Sequence, residues 1–92
     1  MDYNKLLRKS NLVIQLLQVK LSIVGDNQTL NSIVKQMEFI SEHASKKQNP
    51  IDYLPVGRVF IFGLLASKEL TDPGDDKLRE TINTVSEILD ES

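Results

Sequence analysis

Glycine and proline fall in only three places where they can break this chain of 92 residues: Gly25-Asp26-Asn27, Asn49-Pro50 to Pro55-Val56-Gly57, and Asp72-Pro73-Gly74. Proline removes an amide donor and glycine raises the entropic cost of order, so regular structure tends to stop at such sites. Four stretches lie between them. In each, apolar residues recur at spacings of three and four rather than in alternation. The pattern predicts an all-α fold: a compact bundle of four helices with short connections, forming a single domain over residues 1–92. A chain of this length buries about two-thirds of its unfolded surface, enough for one modest core. It contains no cysteine, so disulfides and zinc-thiolate sites are excluded as staples.

The first helix is expected over residues 3–24, with Leu6, Val13, Leu17, Leu21 and Val24 on one face. A second apolar row, Leu12, Leu16, Val19 and Ile23, runs beside it. Either the domain covers both rows, or the second meets a partner or a second copy. The next helix is expected from Asn27 to Ala44, capped by Asn27 or Thr29, with Leu30, Ile33, Val34, Met37, Ile40 and Ala44 as its stripe. Phe39 lies on the opposite side, as an interface anchor or beneath a neighbouring loop.

Asn49-Pro50 is a cap and first-turn pair, and Pro55 leaves room after it for only a short turn holding Asp52 and Tyr53. From Val56 to Leu70 the chain is apolar almost all round, which predicts a helix buried at the centre of the bundle, with Gly63 permitting close approach by a neighbour. In the last segment Asp72 can cap and Pro73 can take the first helical position. Asp75 and Asp76 suit the positive end of the helix dipole, and Leu78, Ile82, Val85 and Leu89 supply the stripe.

Lys and Arg number 11 against 13 Asp and Glu, giving a net charge of −2. No dominant positive field exists to hold nucleic acid. The polar, acidic start Met1-Asp2-Tyr3-Asn4-Lys5 is unlike a secretory leader. Val56 to Ala66, the most apolar stretch, is about half the roughly 20 residues that span a bilayer. A cytoplasmic protein with no membrane partner is expected.

Catalysis needs a nucleophile, a base and a group that holds developing charge. His43 is the only histidine, beside Glu42 near a helix end, where a solvated imidazole is the ordinary outcome. The four glycines are scattered and form no phosphate-binding loop. Asp72, Asp75 and Asp76 lack the alternate spacing and closing glutamate of a calcium loop. No enzyme activity, cofactor or metal is expected. What stands out is an acidic group, Glu69, Asp72, Asp75, Asp76 and Glu80, diluted by Lys68, Lys77 and Arg79. It is either a solvated cap region or a patch that steers a basic partner.

Two stretches resemble a known family. Val34-Lys35-Gln36-Met37-Glu38-Phe39-Ile40 is similar to its second-helix motif, in which a lysine-glutamine pair precedes an aliphatic, a polar, an aromatic and another aliphatic residue. Gly63-Leu64-Leu65-Ala66-Ser67-Lys68-Glu69-Leu70 followed by Thr71-Asp72-Pro73 is similar to a second motif. The family is the small helical immunity proteins of type VI secretion that neutralise NAD(P)+ glycohydrolase toxins. The likeness runs over about residues 30–85, and the first helix matches in character only. The resemblance implies a protein that binds its cognate toxin domain, occludes the active-site entrance and performs no chemistry itself. On this reading Phe39 or Tyr53 fills a pocket of the partner. Lys68, Glu69, Asp72, Asp75 and Asp76 complete the contact, the acids addressing basic groups near the toxin's substrate entrance. The alternative is a helical adaptor or regulatory protein that acts by homodimerisation through the second row of the first helix, or by binding a partner helix.

Overall fold

The computed structural model describes residues 1–91. Helix α1 (Tyr3–Val24) starts where the Asp2 carboxylate accepts from Lys5 N at 3.0 Å, and stops at Gly25, whose φ of +84° suits a residue without Cβ. Helix α2 (Gln28–Ser45) is capped by Asn27, whose Oδ1 accepts from Leu30 N at 3.0 Å. A 3-10 turn (Pro50–Tyr53) comes next, with the Asn49 side chain accepting from Ile51 N at 3.1 Å. Then come helix α3 (Phe62–Glu69), a second 3-10 turn (Pro73–Asp75) and helix α4 (Asp76–Asp90). All four expected helices are present, and no strand occurs among the described residues.

The helices close a ring of neighbours: α1 packs on α2 and α4, and α3 packs on both α2 and α4. The stripes meet inside it. Leu6, Val13 and Leu17 of α1, Leu30, Ile33, Met37 and Ile40 of α2, and Ile82, Val85 and Ile88 of α4 are almost wholly buried. Each such side chain contributes about 1.5–3 kcal/mol through loss of apolar surface. Ser10 takes the place of an aliphatic in the α1 stripe and is satisfied within the helix, donating to Leu6 O at 2.8 Å. Among the described residues no buried side-chain nitrogen or oxygen lacks a partner.

The third segment departs from its predicted form. The helix begins only at Phe62, and residues 56–61 form an irregular arm. Pro55 O accepts from Arg58 N at 3.0 Å while Gly57 has φ +80°, the geometry of a type II turn. Beyond it burial alternates: Phe60 and Phe62 turn inward while Val59 and Ile61 face solvent. Gly57 and the β-branched Val56, Val59 and Ile61 all favour something other than helix here. The centre of the bundle is therefore occupied by α1, α2 and α4, and Val56 and Val59 are fully or largely exposed. Gly63 is not a close-approach site either. A Cβ there would sit 3.8 Å from Ser86 Oγ, an ordinary contact.

The second row of α1 divides. Leu12 and Leu16 are half-buried, with Leu16 packed on the core, whereas Val19 and Ile23 are exposed at the far end of the helix.

Candidate functional site: an apolar arm and an acidic end

Around the arm, four aromatic rings and a histidine form a continuous cluster. Phe39 lies 4.4 Å from His43, ring centroid to centroid, and meets Phe60 edge-on at 5.9 Å. His43 stacks on Tyr53 at 4.6 Å, and Phe60 contacts Phe62 at 5.8 Å. Phe39 is thus roofed by the arm, the second of its two expected settings, and it holds Phe60 in place rather than projecting freely. Tyr53 keeps half of its surface exposed. His43 Nδ1 lies 2.9 Å from Gln48 Oε1, so the lone histidine is packed between rings and tied to a loop amide. The arm is further fixed by Ile61 N, which donates to Gln36 Oε1 at 2.9 Å.

Between arm and α2 runs an open groove of about 640 Å³, with Lys35, Gln36 and Phe39 on one wall and Pro55, Arg58 and Val59 on the other. Lys35 and Gln36 are the pair singled out in the second-helix motif. Val59 and Ile61, which line it, are exposed, as are Val56 and Leu64 near them in the chain. Sequence reasoning misses this surface because apolar content reads as burial. The alternation through Val59-Phe60-Ile61-Phe62 is the available signal, since a period of two belongs to extended chain.

At the other end of α3 one of the acids, Asp75, is drawn inward. Lys20 Nζ donates to both oxygens of Asp75, at 2.9 and 2.8 Å, and lies 3.5 Å from Asp72 Oδ2. The side chains of Lys20 and Asp75 are only 16% and 9% exposed, so Asp75 is an internal group and not part of the outer patch. The hydrogen bond to Asp75 is the main cause that raises the Lys20 pKa above its ordinary value of 10.5, against the opposing effect of burial. Asp75 Oδ2 also accepts from Asp72 N at 3.3 Å, the reciprocal arm of a capping box. No sequence signal announces the Lys20 pairing, which joins residues far apart in the chain.

Glu69 Oε1 accepts from Asn27 Nδ2 at 2.7 Å, binding the end of α3 to the start of α2. Arg79 donates to Leu70 O at 2.6 Å and Asp72 O at 2.9 Å, and pairs with Asp76. These bonds close the short junction between α3 and α4. Asp72 and Asp76 still present most of their carboxylate surface to solvent, at 77% and 79% exposure, and Lys68 is exposed nearby. Asp72 and Asp75 share Lys20 while Asp76 pairs with Arg79, and among the described residues no cluster of His, Cys, Asp or Glu could hold a metal ion. No helix among the described residues is long and apolar enough to cross a membrane.

The fold is a small all-α bundle whose unusual features, an apolar arm and an acidic end, lie at its surface. The chain matches the model of the Tsi6 family from residue 5 to residue 91 and belongs to that family, the type VI secretion immunity proteins. The match takes in α1 as well as both motifs. Membership of an immunity family implies a toxin protein as partner. No curated protein and no solved structure matches the chain.

Proposed function

We propose that the protein protects its cell by binding a cognate type VI toxin domain, an NAD(P)+ glycohydrolase acting in the cytoplasm, and covering the entrance to its active site. Family membership across nearly the whole chain carries this reading. The exposed carboxylates of Asp72 and Asp76 support the manner of it. A toxin that binds a dinucleotide needs cations for the phosphates, and carboxylates held at fixed positions compete for those cations. Lys68 and Glu69 border this end, Tyr53 offers a half-exposed ring, and Asp75 acts from within by holding the turn that presents Asp72. Phe39 acts through Phe60, beneath the arm.

The test is inhibition of NAD+ hydrolysis by a cognate toxin domain, sought first in the genes that neighbour this one. One equivalent of the protein should abolish turnover, and Asp72→Asn with Asp76→Asn should raise the inhibition constant at least about tenfold, since each neutralised contact is worth around 1 kcal/mol or more. Tight binding that leaves hydrolysis running would refute active-site occlusion. Val19 and Ile23, 60% and 78% exposed, favour a second reading, an adaptor that acts as a homodimer. Light scattering that finds a dimer, converted to monomer by Ile23→Glu, would support it. A monomeric wild type would dismiss it.

A further inference from the structure

The groove between α2 and the arm differs in charge from the acidic end of the molecule. It is bordered by Lys35 and Arg58, and no carboxylate lines it. Neither cation forms an ion pair among the described residues, whereas Lys20, Lys46 and Arg79 all do. A second groove, by Leu16, Val19 and Ile23, is lined by Lys20 and Lys77 but also by Asp72 and Asp75, so its charges are mixed and Lys20 is already paired. Of these two grooves, only the arm groove joins unpaired cations to exposed, β-branched apolar side chains with no carboxylate in its lining. The arm is also ordered before any partner arrives, through the Gly57 turn, the Ile61–Gln36 hydrogen bond and the Phe60–Phe39 contact. Ordering beforehand removes part of the entropic cost of association.

We infer that this groove seats a segment of the toxin domain that carries a carboxylate beside apolar side chains: the carboxylate meets Lys35 and Arg58, and Val56, Val59 and Ile61 cover the apolar part. The inference rests on the toxin-binding reading above and assigns its main affinity to this face. Helix α3, at about 1.5 Å per residue, separates the arm from the acidic end by only about 12 Å. One partner can therefore cover both within an interface of ordinary size.

The experiment compares two double variants, Val56→Asp/Val59→Asp and Lys35→Glu/Arg58→Glu, with Asp72→Asn/Asp76→Asn, by calorimetric titration into the purified toxin domain. All six positions are exposed, so circular dichroism should stay at the wild-type spectrum; the thermal midpoint should hold in the groove variants and fall slightly in Asp72→Asn/Asp76→Asn, which loses the Arg79 pair. Each groove variant should bind at least about 30-fold more weakly, the effect of losing an interface hot spot. In hydrogen exchange the amides of Arg58 to Ile61 should become protected in the complex. Groove variants within threefold of wild type would overturn the inference while toxin binding itself stands. A wild type that fails to bind the toxin domain would remove the functional reading and this inference together. Loss of a homodimer in Val56→Asp/Val59→Asp, or binding of inorganic phosphate that only Lys35→Glu/Arg58→Glu abolishes, would give the groove to a second copy or a small anion and overturn it as well.

Discussion

The two ends of α3 use opposite physical means. At its start an apolar arm stands in water, held by a glycine turn, one amide and an edge-on ring contact. At its end charged residues are drawn inward, and Lys20 and Asp75 form a largely buried ion pair. Side-chain polarity alone would assign the first to the interior and the second to the surface. What decides is the partner available to each group. Asp75 finds an ammonium and a backbone amide, so it can leave water. Val56 and Val59 find no wall, because α1, α2 and α4 already fill the centre.

The sharpest way to break this contrast is Lys20→Met, which leaves the Asp75 carboxylate without its cation. The expected loss is about 3 kcal/mol by urea denaturation, or a fall in thermal midpoint of roughly 12–24 °C. Lys20→Met/Asp75→Asn should recover at least about half of it, because the uncompensated charge is gone. Wild-type stability in Lys20→Met alone would show that the pair holds nothing. The same interaction is readable in pH. The Lys20 pKa is raised in the fold, so its stabilisation is complete below the ordinary value of 10.5 and disappears as pH climbs through the raised one. Wild type minus Lys20→Met should accordingly shrink above about pH 10.5 and stay constant from neutral pH up to that point, in parallel denaturation series.

At the arm, Gly57→Ala places a Cβ at φ +80° and should cost about 1 kcal/mol. Its sharper signature is local: exchange of the Arg58 and Ile61 amides should quicken while those of α1 keep their protection. Uniform acceleration over all helices would mean that the arm and the core open together. The smallest effect lies in the first turn of α3. Gly63→Ala should stabilise the protein by about 0.5–1 kcal/mol, because helix propensity improves and the new methyl meets only Ser86 Oγ at 3.8 Å. Destabilisation would restore a close-approach role for that glycine.

Most of the fold is legible in the sequence because it depends on neighbours a few residues apart. The span of α1, the Asn27 and Asn49 caps, and the α2 and α4 stripes all come from local spacing. The immunity family is legible in two short motifs. The arm is less so, since Val56-Gly57-Arg58-Val59-Phe60-Ile61 is as apolar as a buried helix. Only the alternation of its last residues and the turn-forming Gly57 point outward. The acidic end is illegible in its essential part. Nothing near Asp75 foretells Lys20 as its partner, and nothing near Glu69 foretells Asn27. Such contacts exist only after the helices have packed.

Both amides that secure α3 come from α2 and its cap: Gln36 holds Ile61 just before the first turn of α3, and Asn27 holds Glu69 in its last. The short helix is thus bolted at each end to a single long one, whose own stripe is the heart of the core. The position of the exposed face is therefore set by the register of α2, and any shift of that helix carries both ends of α3 with it.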